Sequence, residues 1–529
     1  MIIPLLVLQT HDAYQALSIA LIILCLALFA RLIKSGARGR RIPGPPGLPL
    51  LGNLLQLGGG TNWVTFTEWK KEYGDIVYIN IAGQDAVILN SRKVATDLLD
   101  RRGVIYSDRP QNIVAQVLTG GMVFAFSQHN DVWKRMRRAA AEAMSNSAMK
   151  KYSELQETEA VLLVGDILRD PSNWDAHLQR AANSLVLAAV YGMPPIRDHH
   201  SPDIARVNRY VEMCLHACAP GSFLVEYFTW MQYLPRWISP WRRYAEDNYN
   251  DHNVFFEKLY NDVKQRIAQG DERPSVASSI HHDEKHFGVT GREAAWLSAT
   301  LYAGASGTTS GQLSWFVLAM VLHPEVQKRA QDEIDRVVGR GRMPTVRDFD
   351  QLFYVRAVVK ELLRWRPVGP LGVPHRLDED DIYEGYYLKK DTMIITNIWA
   401  MNHDPETYGQ DADNFVPERH LDERGVFKAS NDTKDEGHHT FGFGRRVCVG
   451  RHLSKSSLFI STACILWAFN ITPGEDQHGN TIIPDANGGI TDGLLVRPPD
   501  FPCSITPRYP DVPNLLAQVK ELHGFAADA

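Results

Sequence analysis

The chain has 529 residues, 44% of them hydrophobic and 22% charged, with a formal net charge of -5. That is an ordinary globular balance with ample apolar material for a core, and nothing in the overall charge points to nucleic acid. Six cysteines without a CxxC set aside a zinc ribbon and a dithiol redox motif.

The first element is an apolar run from Ala13 to Ala30 that, extended to Ile33, is long enough to cross a bilayer as one helix. Arg31, Lys34, Arg38, Arg40 and Arg41 follow it, and no Lys or Arg precedes it, which predicts a retained anchor with the remainder of the chain in the cytosol. Residues 1–33 are therefore read as a membrane anchor and 34–49 as a basic, proline-rich hinge stiffened by Pro43-Gly44-Pro45-Pro46-Gly47. Residues 50–529 show no internal repeat and read as one large domain. The fold class predicted is mainly α with small β-sheets.

Short strands are expected at Ile76–Ile81 and Ala86–Leu89, around Gly83. Cys214 and Cys218 lie one helical turn apart and are assigned to packing. Ser222 to Arg243 mixes Phe223, Tyr227, Phe228, Trp230, Tyr233, Trp237 and Trp241 with arginines and prolines, a composition suited either to a membrane headgroup layer or to a core. His282 and His286 are spaced i,i+4 but lack the glutamate of a zinc protease, so a solvated loop is expected there. Thr290-Gly291-Arg292-Glu293 is a capping box that opens a helix of about 30 residues ending at His323-Pro324. Gly304, Gly307 and Gly311 interrupt it, which costs helix stability unless the space is needed. Helices follow at Glu325–Val338 and Tyr354–Arg366, then a strand-rich segment from Ile382 to Ile398, and a last helix just after Cys448.

Two clusters carry chemistry. In Phe441-Gly442-Phe443-Gly444-Arg445-Arg446-Val447-Cys448-Val449-Gly450 the glycines permit a tight turn, Phe441 can keep water from a thiolate, and Arg446 can meet an anion. Upstream, Glu361 and Arg364 share a helix face at i,i+3, and Arg419 of Pro417-Glu418-Arg419 can complete a buried triad.

The chain thus resembles a microsomal-type cytochrome P-450. Phe441 to Gly450 matches the FxxGxRxCxG loop, Glu361 and Arg364 the ExxR helix, and Pro417 to Arg419 a PERF-like segment with His420 in place of the aromatic. Trp133 and Arg137 match a WxxxR helix. In detail the likeness is to fungal members that act in secondary metabolism or on foreign compounds. The resemblance implies haem b, with Cys448 as axial ligand of the iron and Trp133, Arg137, His375 and Arg446 near the propionates. It makes Glu361, Arg364 and Arg419 structural, and Thr308 the hydroxyl that holds dioxygen. The family's acid before that threonine is replaced by Gly307 in Gly304-Ala305-Ser306-Gly307-Thr308-Thr309. Either Ser306, water or a substrate hydroxyl takes over proton delivery, or Gly307 merely widens the pocket. By position, substrate contacts are expected from the loop between Ile113 and Phe124, from Tyr302 and Ala303, from Leu371 to Val373, and from Leu494 and Leu495.

The implied activity is insertion of one oxygen atom from O2 into a lipophilic small molecule. No nucleotide-binding fingerprint is seen in the sequence. Electrons are therefore expected from a separate NADPH-cytochrome P-450 reductase, with cytochrome b5 as a further donor. Lys134, Arg135 and Arg138 flank Trp133 and Arg137 and offer a docking patch for an acidic flavoprotein. The family's default membrane is the endoplasmic reticulum. The rival readings are a haem-thiolate isomerase or dehydratase and a poorly coupled haem-binding protein, both resting on Gly307.

Overall fold

A computed structural model describes residues 39–525, except 59, 198–201, 219–221, 227, 429–435 and 492–493. The predicted anchor and the first part of the hinge lie outside the described residues, as do Cys25 and Tyr227. Among the described residues no helix is long and apolar enough to cross a membrane.

The elements that position the site run in chain order. Helix α1 (Asn62–Tyr73) leads into the hairpin β1 (Ile76–Ile81) and β2 (Gln84–Leu89). Then come α2 (Ile113–Thr119), α3 (Asp131–Ala143), α4 (Ser153–Arg169), α5 (Trp174–Tyr191), α6 (Pro202–Cys218) and α7 (Pro240–Ala268). The central helix α8 spans Gly291–Leu322, followed by α9 (Pro324–Val337) and α10 (Phe353–Trp365). Strands β3 (His375–Arg376) and β4 (Met393–Thr396) precede α11 (Arg451–Ala468). Strands β5 (Phe469–Glu475), β6 (Val496–Arg497) and β7 (Cys503–Pro507) and helix α12 (Val512–Leu522) close the chain.

The largest sheet has the order β1-β2-β4-β3, with β2 parallel to β4 and the other pairs antiparallel. Its parallel register, Val87 opposite Ile394 and Ile88 opposite Ile395, joins two chain segments about 300 residues apart. The second half of the hinge is packed against this region: Tyr78 donates its amide to the Pro43 carbonyl (2.8 Å) and Arg40 to that of Gly385 (2.9 Å). It is a docked strap rather than a free connector.

Helix α8 exists because of its cap and its apolar content. Thr290 Oγ1 accepts from the Glu293 amide (3.2 Å) while Glu293 Oε2 accepts from the Thr290 amide (3.0 Å), satisfying two of the orphan donors at the start. Its two ends are buried on all sides, from Ala294 to Leu297 and from Leu313 to Val321. One core gathers the second half of α8 with α4, α10 and α11, and another gathers its first half with α3, α5 and α7. The middle differs. Gly304 and Gly307 are solvent-accessible within an otherwise buried helix, so the centre of α8 lines an internal space.

Candidate active site

Cys448 lies at the end of a loop whose shape only glycine allows. Gly442 and Gly444 have φ of +75° and +61°, and a Cβ on Gly444 would run into the Leu99 carbonyl. The Gly444 amide donates to Asp100 Oδ1 (2.5 Å), and the Cys448 amide to the Phe441 carbonyl (2.8 Å). Burial raises the Cys448 thiol above its ordinary value, while the amides of Gly450 and Arg451 and the charge of Arg137 act the other way. The side chain is accessible although protein surrounds it, as befits a sulfur facing an internal space. The sulfur therefore sits under amides at the start of α11, the arrangement that tunes a thiolate ligand.

The predicted cations come together. Arg446 lies 3.9 Å over the Trp133 ring and donates to the carbonyls of Ser107 (2.8 Å) and Ser127 (2.7 Å). Trp133 stacks on Phe124 (6.1 Å, 11°) and donates Nε1 to its carbonyl (3.2 Å). His375 is buried on β3 with Nδ1 2.8 Å from the Tyr106 carbonyl. A further member escaped sequence reasoning. Arg109 is buried and donates to the carbonyls of Ala125 (2.9 Å), Val373 (2.6 Å) and Pro374 (2.8 Å). Its signal was a lone arginine in Ser107-Asp108-Arg109-Pro110, just ahead of the predicted substrate loop and given no role there.

Electrostatics argue for an anion here. Burial, and then mutual repulsion with Arg109, pulls Arg446 down to about 8; burial pulls Arg109 to about 9. Arg137 is also lowered by burial. His375 falls well below its ordinary value through burial and the nearby Arg109 charge. The neighbouring Asp108 is already committed to Arg376 and to the His129 amide (2.7 Å). Guanidinium groups keep their protons in proteins, so the cluster carries an unmet demand for counter-charge. These residues fit a haem: the cations would meet two propionates, and the Cys448 sulfur would meet the iron.

Behind the loop, Glu361 is the hub of a buried network. It accepts from Arg364 (2.8 and 2.7 Å), Arg419 (2.8 Å), the Val416 amide (2.9 Å) and His420 Nε2 (2.9 Å). Burial alone would raise its carboxyl, but Arg364 and His420 hold it far below the carboxylate range. The histidine in the aromatic's place is thus a fourth partner of the triad. Asn402 ties this network to the cysteine loop through the His439 amide (2.8 Å) and Thr440 Oγ1 (3.1 Å).

On α8, Thr308 Oγ1 donates to the carbonyls of Gly304 (2.9 Å) and Ala305 (3.2 Å), a back-bonding pattern that loosens the helix locally. Thr308, Gly304 and Gly307 share the accessible side; Ser306 is buried with Thr309 and Ser310 and is not brought beside Thr308. Tyr302 is also turned away, fully buried with its hydroxyl donating to Asn183 Oδ1 (2.9 Å). Ile113, Ala303, Leu371, Val373, Leu494 and Leu495 are half-buried, while Phe124 belongs to the cation cluster rather than to a free wall. Gly307 does not simply open space, because a Cβ there would lie 3.3 Å from Leu495 Cδ1.

On the outer side of α3, His129, Lys134, Arg135, Arg138 and Arg445 surround a shallow concavity of about 870 Å³ that reaches Trp133 and Arg137. Arg135 is anchored to Glu293 (2.6 Å), and Lys134 pairs with the exposed Asp131 (3.1 Å). The segment with His282 and His286 forms two short helices, Val276–His282 and Glu284–Phe287, not a loop. No group of side chains among the described residues could hold a metal ion by itself.

A cysteine sulfur under helix amides, backed by a cluster of buried cations, fits the apparatus of a haem-thiolate enzyme. Residues 42–499 match the cytochrome P-450 family. A cytochrome P-450 monooxygenase of Armillaria gallica is 48% identical over 485 residues, 91% of this chain and 93% of that one. Cytochrome P-450 monooxygenase 58 of Postia placenta is 44% identical over 508 residues, 96% of each chain. Cytochrome P-450 monooxygenase iboC of Amanita muscaria is 36% identical over 561 residues, 97% of this chain and 99% of that one. The chain belongs to the cytochrome P-450 family and is a haem-thiolate monooxygenase of the fungal type.

Proposed function

We propose that the enzyme holds haem b and oxygenates a lipophilic small molecule of polycyclic, terpenoid, steroid or polyketide-like class, using electrons from a separate NADPH-cytochrome P-450 reductase with cytochrome b5 as a further donor. The observation that carries this reading is the Cys448 sulfur under the Gly450 and Arg451 amides, close enough to Arg137 to feel its charge. When bound, the haem supplies oxygen activation at iron. The chain supplies the rest. Cys448 would hold the haem iron and donate electron density to it. Arg109, Arg137, Arg446 and His375 would fix the orientation of the group through its carboxylates, and Trp133 packs against Arg446. Thr308, on the accessible side of α8, holds a hydroxyl where a proton must be delivered. Half-buried apolar side chains such as Ala303, Leu371 and Leu495 exclude water and favour an apolar substrate.

The basic concavity over α3 suits an acidic flavoprotein, because Lys134, Arg135, Arg138 and Arg445 line it together with Trp133 and Arg137. The apolar run and basic flank of the N-terminus suit a single-pass anchor with the catalytic domain in the cytosol, and the family's default membrane is the endoplasmic reticulum. The exposed Phe228, Trp230, Tyr233 and Trp237 give the globule an aromatic patch for the headgroup layer.

Turnover in microsomes with the reductase and NADPH, against polycyclic aromatics, steroids and terpenoids, tests the reading. Oxygenated product that requires NADPH supports it. Conversion without NADPH would favour the isomerase or dehydratase reading that Gly307 allows.

A further inference from the structure

Beyond this reading, and resting on it, we propose that Gly307 and Leu495 form a single size-complementary element that sets the width of the substrate pocket, with Leu495 filling the volume a side chain at position 307 would need.

The placement is built. Strand β6 lies as a strap along one face of α8, the face of Gly307, Gly311 and Ser314. Trp315 Nε1 donates to the Val496 carbonyl (3.1 Å), and the Val496 amide donates to the Val368 carbonyl (2.8 Å). Arg497 is ion-paired with Asp175 of α5, and the same Asp175 oxygen accepts from Ser314 Oγ of α8 (2.7 Å). At Gly311 an added Cβ would stand in ordinary contact with Val368 Cγ1 (3.5 Å) and Arg497 Cβ (3.9 Å). At Gly307 it would stand 3.3 Å from Leu495 Cδ1, close enough that the leucine would have to yield.

Three consequences follow from packing alone. An aspartate at 307 would both displace Leu495 and put a carboxylate against an isobutyl group, which burial penalises. The glycine is therefore matched to the leucine rather than left by a deletion of function. The leucine, being next to accessible Gly307, forms part of the wall seen by a ligand. And the Asp175–Arg497–Ser314 cluster, which lies further along α8, is a positioning group: it fixes the strap and with it the height of Leu495 over the helix.

The ferric holoenzyme, titrated with imidazole and with 1-alkyl- and 1-arylimidazoles of increasing bulk, reads pocket width directly from Soret shifts. Leu495→Ala is expected to tighten the bulkiest ligand about 10-fold relative to imidazole, and Gly307→Ala to weaken it several-fold by driving Leu495 inward. In the Leu495→Ala background the methyl of Gly307→Ala has no leucine to drive inward, so the double variant should keep the tightened bulk preference of Leu495→Ala, and Asp175→Asn should shift the same preference without altering the affinity for imidazole itself. Strictly additive effects in the double variant would overturn the pairing. If Gly307→Ala fails to fold, Leu495→Val must still move the bulk preference in the direction of Leu495→Ala, and an unchanged preference overturns the proposal. No Soret shift with any imidazole in the wild-type protein would instead defeat the haem-thiolate reading on which it rests.

Discussion

Arg109 shows what a single side chain can contribute when its neighbours are fixed. Among the described residues its hydrogen bonds run to the main-chain carbonyls of Ala125, Val373 and Pro374. Replacing it by leucine removes a cation from a cluster that would hold two propionates and strands the Val373 and Pro374 carbonyls. A charge-assisted hydrogen bond is worth about 1.5–3 kcal/mol. Arg109→Leu should thus lower haem affinity by about 10- to 100-fold, read as the haem-to-protein ratio after gel filtration, and Arg109→Lys should recover part of it. Full haem retention in Arg109→Leu would remove Arg109 from the site. His420 is the second such residue. Its Nε2 donates to a carboxylate that already has two guanidinium partners. His420→Phe, which restores the family's aromatic, should cost about 1–2 kcal/mol of stability, measured as a lowered midpoint in urea with the absorption spectrum unchanged. The sequence carried Cys448, Arg446, Trp133 and Glu361 plainly because each belongs to a short spaced pattern. Arg109 acts through partners far along the chain and no local pattern marks it; the PERF-like pattern located His420 but not its bond to Glu361, 59 residues away.

At the scale of elements, the ends of α8 were legible because capping and proline termination are local chemistry: the helix runs Gly291–Leu322, between Thr290 and His323-Pro324. The next two helices, Pro324–Val337 and Phe353–Trp365, differ from the expected bounds by a residue at each end. The strand-rich segment resolves into Asp381–Tyr383, Tyr386–Leu388 and β4, and its final residue, Ile398, opens a short helix. Helix α2 was not legible. Asn112 caps it by accepting from Ala115 (2.8 Å), and the Glu226 carboxylate accepts from the Ile113 (2.9 Å) and Val114 (2.8 Å) amides. Asn112 also donates to the Ala217 carbonyl at the end of α6 (2.8 Å). A seven-residue helix is too short to hold itself; it forms because the distant Glu226 satisfies its first turn and Ala217 holds its capping asparagine. Glu226→Ala should therefore speed hydrogen exchange of the Ile113 and Val114 amides by about 10-fold or more while leaving α3 and α8 protected. Equal exchange in the variant and the wild type would mean that local capping by Asn112 suffices.

For the whole molecule, the buried histidines set the acid limit of the fold. Burial, aided by the nearby Arg364, pulls His403 down to about 3, and its ring stacks on Trp399 at 4.0 Å. Burial and the adjacent His439 push His438 well below its ordinary value, and burial lowers His420 despite the Glu361 carboxylate beside it. All three are neutral in the folded protein near pH 7. In the unfolded chain they titrate near 6.5. Below that pH the unfolded state binds more protons than the folded one, so stability is present in full above about 6.5 and is lost as the pH falls. Each such histidine takes about 1.4 kcal/mol per pH unit between its unfolded and folded values. With three acting together the loss approaches about 4 kcal/mol per unit, set against a net stability of order 5–15 kcal/mol for a folded domain. Glu361, held far below its ordinary value, adds to the loss only once the pH drops through about 4.5 and lower. Urea midpoints taken at pH 7.5, 6.5, 5.5 and 5.0 should therefore be flat over the first step and fall steeply over the others. His403→Gln keeps a neutral polar side chain beside the Trp399 carbonyl but cannot take up the proton, so its acid limb should be shallower by about 1.4 kcal/mol per pH unit with the plateau above pH 6.5 lowered or unchanged. A limb of wild-type steepness in that variant would assign the acid sensitivity to the other buried histidines, His375, His420 and His438.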